Sequence, residues 1–332
     1  MRVAFFEVKD WEREYLQARL PADVASFEGS PLAEKHLESI RGTEAISVFI
    51  YSKVTAAVLD ALPELKHVAT RSTGYDHIDL AGCKARGISV SNVPTYGENT
   101  VAEHTFALIL MLSRKVHKSH AQVRDGRIEL AGLTGFDLQG KTIGVIGAGR
   151  IGLHVIRIAR GFGMRVLAMD TRQDPFLAEL LGFQYTPLER LLAESDIVTL
   201  HCPLLPATQH MIGRAQLQAM KRGTLLINTA RGGLVDTDAL VDALESGQCG
   251  GAGLDVLEGE ELIQEEKQLL YERDNLEKLR TAMRTRLLLG REDVVFTPHN
   301  AFNSREALLR ILDTTLANLE AHRAGRPINV VG

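Results

Sequence analysis

Cysteine is scarce in this chain, and the three present, Cys83, Cys202 and Cys249, lie far apart with no CxxC pair. That excludes a disulfide framework and a cysteine-based metal site, and reads as buried or half-buried thiols in a reducing compartment; no metal is expected. Clusters of Lys and Arg are also missing, and the formal charge is -4. Nucleic-acid or membrane-surface binding needs such clusters, so neither partner is expected. Long apolar runs are lacking too. The stretch over 101 to 112 stays below spanning length and carries Glu103 and His104, so it reads as a buried helix. The opening MRVAFFEV is too short for a signal peptide with a cleavage region; it reads as a first strand, and a cytoplasmic protein is expected. There are no repeats and no low-complexity tracts.

What is present is length and alternation. A chain of 332 residues buries a large core and suggests two domains. From the N-terminus, short apolar runs at Val3 to Phe6, Val24 to Phe27, Ala45 to Tyr51, His67 to Thr70 and Ile88 to Val90 alternate with helical patterns near Glu12 to Leu20, Ala56 to Ala61 and Ile78 to Ala85. Such alternation predicts a parallel sheet covered by helices on both faces. Pro94 interrupts it, and Asn99 or Thr100 is placed to cap a long helix to about Val116 or beyond.

The chain is organised around TIGVIGAGRIGLHVIRIARGFGMRVLAMD, residues 142 to 170. A β-branched run breaks into glycines, continues as a helix and returns as a second strand ending on Asp170, which is how a dinucleotide-binding unit is written. Gly147 permits the tight turn, Gly149 the approach of a pyrophosphate, and Gly152 close packing of helix on strand. The phosphates sit on the helix N-terminus, and Asp170 accepts hydrogen bonds from the adenosine ribose, which favours NAD over NADP. Arg172, two residues on, softens that preference by offering a phosphate partner. Further strands are expected at Asp196 to Leu200, Gly223 to Ile227, Gly251 to Val256 and Val294 to Thr297, making six in this second sheet. Between the last two, residues 261 to 290 carry Leu269, Leu276, Leu279, Met283 and Leu287 at near-helical spacing, an amphipathic helix with one packed stripe. Ser304 is placed to cap a last helix to about His322, and INVV after it to return as an edge strand.

Ligands of an open α/β sheet bind beyond the carboxyl ends of its strands. Arg231 in INTARGG, Glu260 in LDVLEGE and His299 in FTPHNAF all follow predicted strands there. Together they suit hydride exchange between a nicotinamide and the C2 of a 2-hydroxy acid. His299 is the proton donor or acceptor at the C2 oxygen, Glu260 orients the ring and stabilises its charged form, and Arg231 offers the substrate carboxylate a planar, permanently charged fork. Backbone N–H groups of the turn STGYD, at Thr73 and Gly74, add to that anion site.

RSTGYDHID, NVPTYGENTVAEHT, GVIGAGRIG, LHCPL, NTARGGLVDTDAL, GLDVLEGE and TPHNAF resemble, in order, the motifs of the NAD-dependent D-2-hydroxyacid dehydrogenases. The resemblance implies that Arg231, Glu260 and His299 are catalytic, with Asp255 beside them. It implies NAD contacts at Gly147, Ala148, Gly149, Arg150, Ile151, Asp170, His201, Cys202, Pro203, Thr229 and Asp255, with Gly152 completing the loop. It further implies a homodimer and two doubly wound parallel-sheet domains separated by a cleft. One is a Rossmann cofactor domain over 100 to 299, and the other a flavodoxin-like substrate domain from 1 to 99 and 300 to 332. The long insert between Glu260 and His299, with Tyr96 and Phe302 flanking the expected substrate site, is similar to the D-lactate dehydrogenase branch. The segment RDGRIELAGL, where that branch often carries an aromatic, has none. A reductase of glyoxylate, hydroxypyruvate or a branched-chain keto acid therefore stays open, as does an NAD-sensing, corepressor-like binding protein.

Overall fold

The computed structural model describes residues 1–20, 25–258 and 284–332. The chain divides into two compact units, Met1–Tyr96 with Ser304–Gly332, and Gly97–Asn303.

The first unit holds five parallel strands, β1 (Val3–Phe5), β2 (Ala25–Phe27), β3 (Ala45–Val48), β4 (His67–Thr70) and β5 (Ser89–Ser91), in the order β2-β1-β3-β4-β5. They are short, and β1, β3 and β4 are buried along their whole length, because a parallel sheet is covered on both faces. Alternation then sorts the residues. Ala4, Phe6, Ile46, Val48, Val68 and Val90 pack into one core. Val3, Phe5, Ala45 and Ala69 pack into the other, against Leu312, Leu316 and Leu319 of the helix Arg305–Arg323. The leucines recur at i, i+4 and i+7, one face of a helix, and burying each contributes about 2 kcal/mol. Ser304 caps that helix by accepting from the Ala307 N–H. The INVV tail forms a single antiparallel bridge, Val330 to Ser91.

The second unit has seven parallel strands: β6 (Thr142–Ile146), β7 (Arg165–Met169), β8 (Gln184–Tyr185), β9 (Ile197–Leu200), β10 (Thr224–Asn228), β11 (Cys249–Leu254) and β12 (Val294–Phe296), in the order β12-β11-β10-β9-β6-β7-β8. The sequence predicts six strands here. The seventh, β8, is two residues long, too short to show a periodicity.

The long helix also differs from expectation. It runs Glu98–Ser113 with Gly97 as its N-cap, and a second helix, Val116–Arg124, begins after Lys115 in the left-handed region. The break is made from a distance: Phe136 N–H donates to the Ser113 carbonyl at 2.8 Å. A Cβ on Gly135 would lie 2.1 Å from that same oxygen, so the 132–136 strand of chain runs tight against the helix end. Of the amphipathic helix expected over 261 to 290, most lies outside the described residues; 284–289 are helical, with Leu288 buried and Leu287 exposed. Among the described residues, no helix is long and apolar enough to cross a membrane.

Candidate active site

Strand order in the second unit reverses between β6 and β9, and a crevice opens at such a switch point beyond the strand ends. The glycine turn after β6 lies there. Gly147 has φ +96°, and a Cβ on it would meet the His201 carbonyl at 2.7 Å. On Gly152 a Cβ would stand 1.9 Å from the Gly147 oxygen, so the helix Arg150–Gly161 approaches the turn as only glycine allows. At Gly149 a Cβ would meet nothing within 4 Å. The turn is thus tight on its protein side and open where the helix begins, which fits a pyrophosphate against the first N–H groups of that helix.

Asp170, the first residue beyond β7, accepts from Ala148 N–H at 2.7 Å and from Arg172 N–H at 2.8 Å. It ties the glycine turn to its own loop, a duty the sequence did not disclose. Arg150 points to Glu98 at 3.7 Å and is largely exposed, while Ile151 packs against the core under the turn. After β9, His201 shares a 2.9 Å hydrogen bond between Nε2 and Thr199 Oγ1. Its buried Nδ1 has no partner among the described residues, and burial pulls the imidazole down to about 3, so the ring is neutral at physiological pH. An unpaired buried nitrogen beside an open glycine turn fits a bound nucleotide better than a closed core. Burial pushes the adjacent Cys202 thiol up to about 11, with Asp170 acting in the same direction, so Cys202 is a packing residue and no nucleophile. Pro203 is exposed, and its carbonyl accepts from Thr208 Oγ1 at 2.7 Å. Thr229 turns inward, its hydroxyl 3.0 Å from that of Thr105.

Arg231, Asp255 and His299, singled out from the sequence, follow three neighbouring strands, β10, β11 and β12. Arg231 lies three residues beyond β10, half-buried. Asn228 clamps its loop: Nδ2 donates to the Arg231 carbonyl at 2.9 Å and Oδ1 accepts from Ala230 N–H at 3.0 Å. The guanidinium donates to the Ala230 carbonyl at 2.7 Å. A Cβ on Gly232 would lie 2.1 Å from the Leu257 backbone, which seats this loop on the one that leads toward Glu260. That second loop is tied down by Glu258, which meets His210 Nε2 at 2.6 Å. Glu260 itself lies outside the described residues.

Asp255 follows β11 and is fully buried. Its carboxylate accepts from Thr297 Oγ1, from Asn300 N–H at 2.9 Å and from Ala301 N–H at 2.8 Å. His104 Nε2 stands 3.6 Å from it and 2.9 Å from Thr297 Oγ1. Between these anchors His299 takes φ 50°, and its N–H donates to the Asp255 carbonyl at 2.8 Å. A non-glycine residue persists in the left-handed region only where its surroundings over-determine it, and here the buried Asp255 does so. Asn228, His104 and Thr297 all stand within or beside the motifs read from the sequence, but no local pattern shows that they hold the loops.

In the first unit, Thr73 is exposed and Gly74 half-buried on the turn after β4. The turn is fastened by Thr73 Oγ1 to the Val93 carbonyl at 2.8 Å and by Ser72 Oγ to the Gly74 carbonyl at 2.6 Å. Arg71 beside it is buried; burial pulls its guanidinium down from the usual range, and Glu12 and Glu7 oppose that. Tyr96 ends this unit, its carbonyl accepting from Arg310 Nε at 2.6 Å, whereas Phe302 belongs to the second unit. No group of three or more His, Cys, Asp or Glu among the described residues is arranged to hold a metal.

Residues 106–301 match the D-isomer specific 2-hydroxyacid dehydrogenase NAD binding domain. The D-lactate dehydrogenase of Escherichia coli strain K12 is 37% identical over 324 residues, 96% of each chain. Among solved structures, the pyruvate reductase of Chlamydomonas reinhardtii superposes with a TM-score of 0.88 at 36% identity, covering 99% of this chain and 98% of the other. The D-lactate dehydrogenase of Aquifex aeolicus, solved with NAD and lactic acid, gives 0.85 at 36% identity over 98% and 96%. Matches of this length and identity, on a chain whose glycine turn fits a dinucleotide, make this protein a member of the D-isomer specific 2-hydroxyacid dehydrogenases, a family of NAD-dependent oxidoreductases.

Proposed function

We propose that the protein is a D-lactate dehydrogenase, interconverting pyruvate and D-lactate. What carries the reading is the grouping of Arg231 and His299 beyond the carboxyl ends of β10 and β12, on either side of β11, the strand that Asp255 follows. NADH, when bound, supplies the hydride that reaches C2 of the keto acid. Gly147 and Gly149 would hold its pyrophosphate, with Gly152 letting the helix close on the turn, Asp170 would hold its ribose, and Arg150, Ile151, His201, Cys202, Pro203, Thr229 and Asp255 would line the remainder. Arg231 binds the substrate carboxylate through two parallel N–H donors, which fixes the plane of the carbonyl. His299 gives its proton to the C2 oxygen during reduction and takes it back during oxidation. Glu260 orients the imidazole, and Thr73 and Gly74 add backbone donors to the carboxylate. Tyr96 and Phe302 bound the site.

Two further features belong to the reading. The unit Met1–Tyr96 with Ser304–Gly332 is the substrate domain and Gly97–Asn303 the cofactor domain. The protein is a cytoplasmic homodimer. Support for the dimer comes from Val116, Val123, Ile128 and Leu130, apolar and exposed on one stretch, the last two at 88%. Sedimentation of Ile128→Asp checks it, with a monomer expected.

The deciding measurement is kcat/KM for NADH oxidation with pyruvate, glyoxylate, hydroxypyruvate and a branched-chain keto acid. Pyruvate is expected to lead. A different acid in first place makes the protein a reductase of that acid, and turnover with none makes it an NAD-sensing binding protein.

A further inference from the structure

The first unit has a switch point of its own, between β1 and β3, where the order β2-β1-β3 reverses direction. In a flavodoxin-like sheet that crevice takes an anionic ligand. Here the chain puts one of its own side chains there. Glu7, two residues beyond β1, accepts at Oε2 from Phe49 N–H at 2.9 Å, at Oε1 from Tyr51 N–H at 2.9 Å, and at Oε2 from Ser52 Oγ, all on the loop after β3. Its backbone lies in the left-handed region with φ 56°. Arg71 secures that conformation from the far side, Nη2 donating to the Phe6 carbonyl at 2.6 Å and the Glu7 carbonyl at 2.9 Å, and Nη1 to Ser47 Oγ at 3.2 Å.

Two amide donors and a hydroxyl around one strand end form an anion site, and the buried Arg71 guanidinium holds the backbone that carries the anion. We infer that Glu7 is a built-in anion that fills this site, positions the loop Phe49 to Ser52, and so confines the substrate carboxylate to the next turn, at Thr73 and Gly74. The two loops are neighbours. Val48 pairs with Thr70, so Tyr51 and Thr73 each stand three residues beyond paired positions on adjacent strands. Arg71 joins them, since it precedes that turn and grips Glu7. Glu7 is therefore a positioning residue, acting on the acid through the rim of the first unit.

The inference rests on the proposed keto-acid reduction, and the test separates the two. Glu7→Gln keeps the shape but sets an amide NH2 against a backbone N–H; Glu7→Gly keeps the left-handed backbone and removes the anion. KM for pyruvate is expected to rise about tenfold in Glu7→Gln and further in Glu7→Gly, with kcat and NADH affinity nearly unchanged, because a donor left unpaired there weakens ground state and transition state alike. Added acetate is expected to bring KM down in Glu7→Gly by entering the vacated site, and only to compete with pyruvate in the parent. An unchanged KM in both variants, or a raised KM in Glu7→Gly that acetate does not lower, overturns the role of Glu7 while leaving the reductase reading intact. A parent protein that reduces no keto acid overturns both.

Discussion

The two units set a similar problem and answer it in opposite ways. Each is a doubly wound parallel sheet with a crevice where the strand order turns, after β6 in one and after β1 in the other. After β6 the chain has glycine, and space is left at Gly149. After β1 it has Glu7, whose carboxylate takes the N–H groups of the neighbouring loop. Topology creates the crevice, and the residue at the strand end decides whether a ligand or the protein itself occupies it.

The largest expected effect comes from the rim of the open unit without touching its crevice. Arg231→Lys keeps the charge but loses the planar fork, which removes about 3 kcal/mol of transition-state stabilisation, on the order of a hundredfold in kcat/KM. NADH affinity should stay nearly constant; a Lys variant with full activity would move the carboxylate site elsewhere. Closing the open crevice comes next. Gly152→Ala places a Cβ 1.9 Å from the Gly147 oxygen, and the shift it forces costs about 2 kcal/mol, read as a roughly thirtyfold weaker NADH Kd by titration of cofactor fluorescence. Unaltered binding would mean the turn has slack that the geometry denies.

Asp170→Ser tests the other wall of the same crevice. NADPH loses a repulsive carboxylate, so the ratio of kcat/KM for NADH over NADPH should fall by about tenfold. NADH itself should also bind less well, since Ala148 N–H loses its acceptor. A ratio that is already near one in the parent would refute the assignment.

The smallest effect concerns a likeness between the units. Each buries a neutral histidine: His201 in the second, and in the first His67, whose ring stacks on His322 at 4.3 Å. Burial, and for His67 also the His322 charge, pulls both down to about 3. Unfolded histidine binds a proton near pH 6.5, so between about 6.5 and 3 the unfolded chain holds more protons than the folded one. Stability is thus greatest above pH 6.5 and is lost as pH falls. Tm should drop by about 5 °C from pH 7 to pH 5, and by less in His67→Gln. An equal drop in that variant would assign the acid sensitivity wholly to the second unit.

Much of this protein was determined by sequence alone. Gly147, Gly149 and Gly152 do their work within six residues of chain, and alternation of apolar residues is a local property, so the dinucleotide turn, both sheets and the strand-end positions of Arg231 and His299 are legible in the order of the amino acids. The Ser304 cap is of the same kind. Tertiary structure decided the rest, because the partners are distant in sequence. Glu7 reads as an ordinary surface acid until a loop more than 40 residues away closes on it. Asp255 becomes the anchor of His299 only when β11 and β12 pair and donors 42 to 46 residues on converge on its carboxylate. The helix Glu98–Ser113 stops because Gly135 packs against its last carbonyl. Local pattern sets which elements form and which residues stand at their ends; which hydrogen-bonding groups those ends must satisfy depends on the neighbours that only folding supplies.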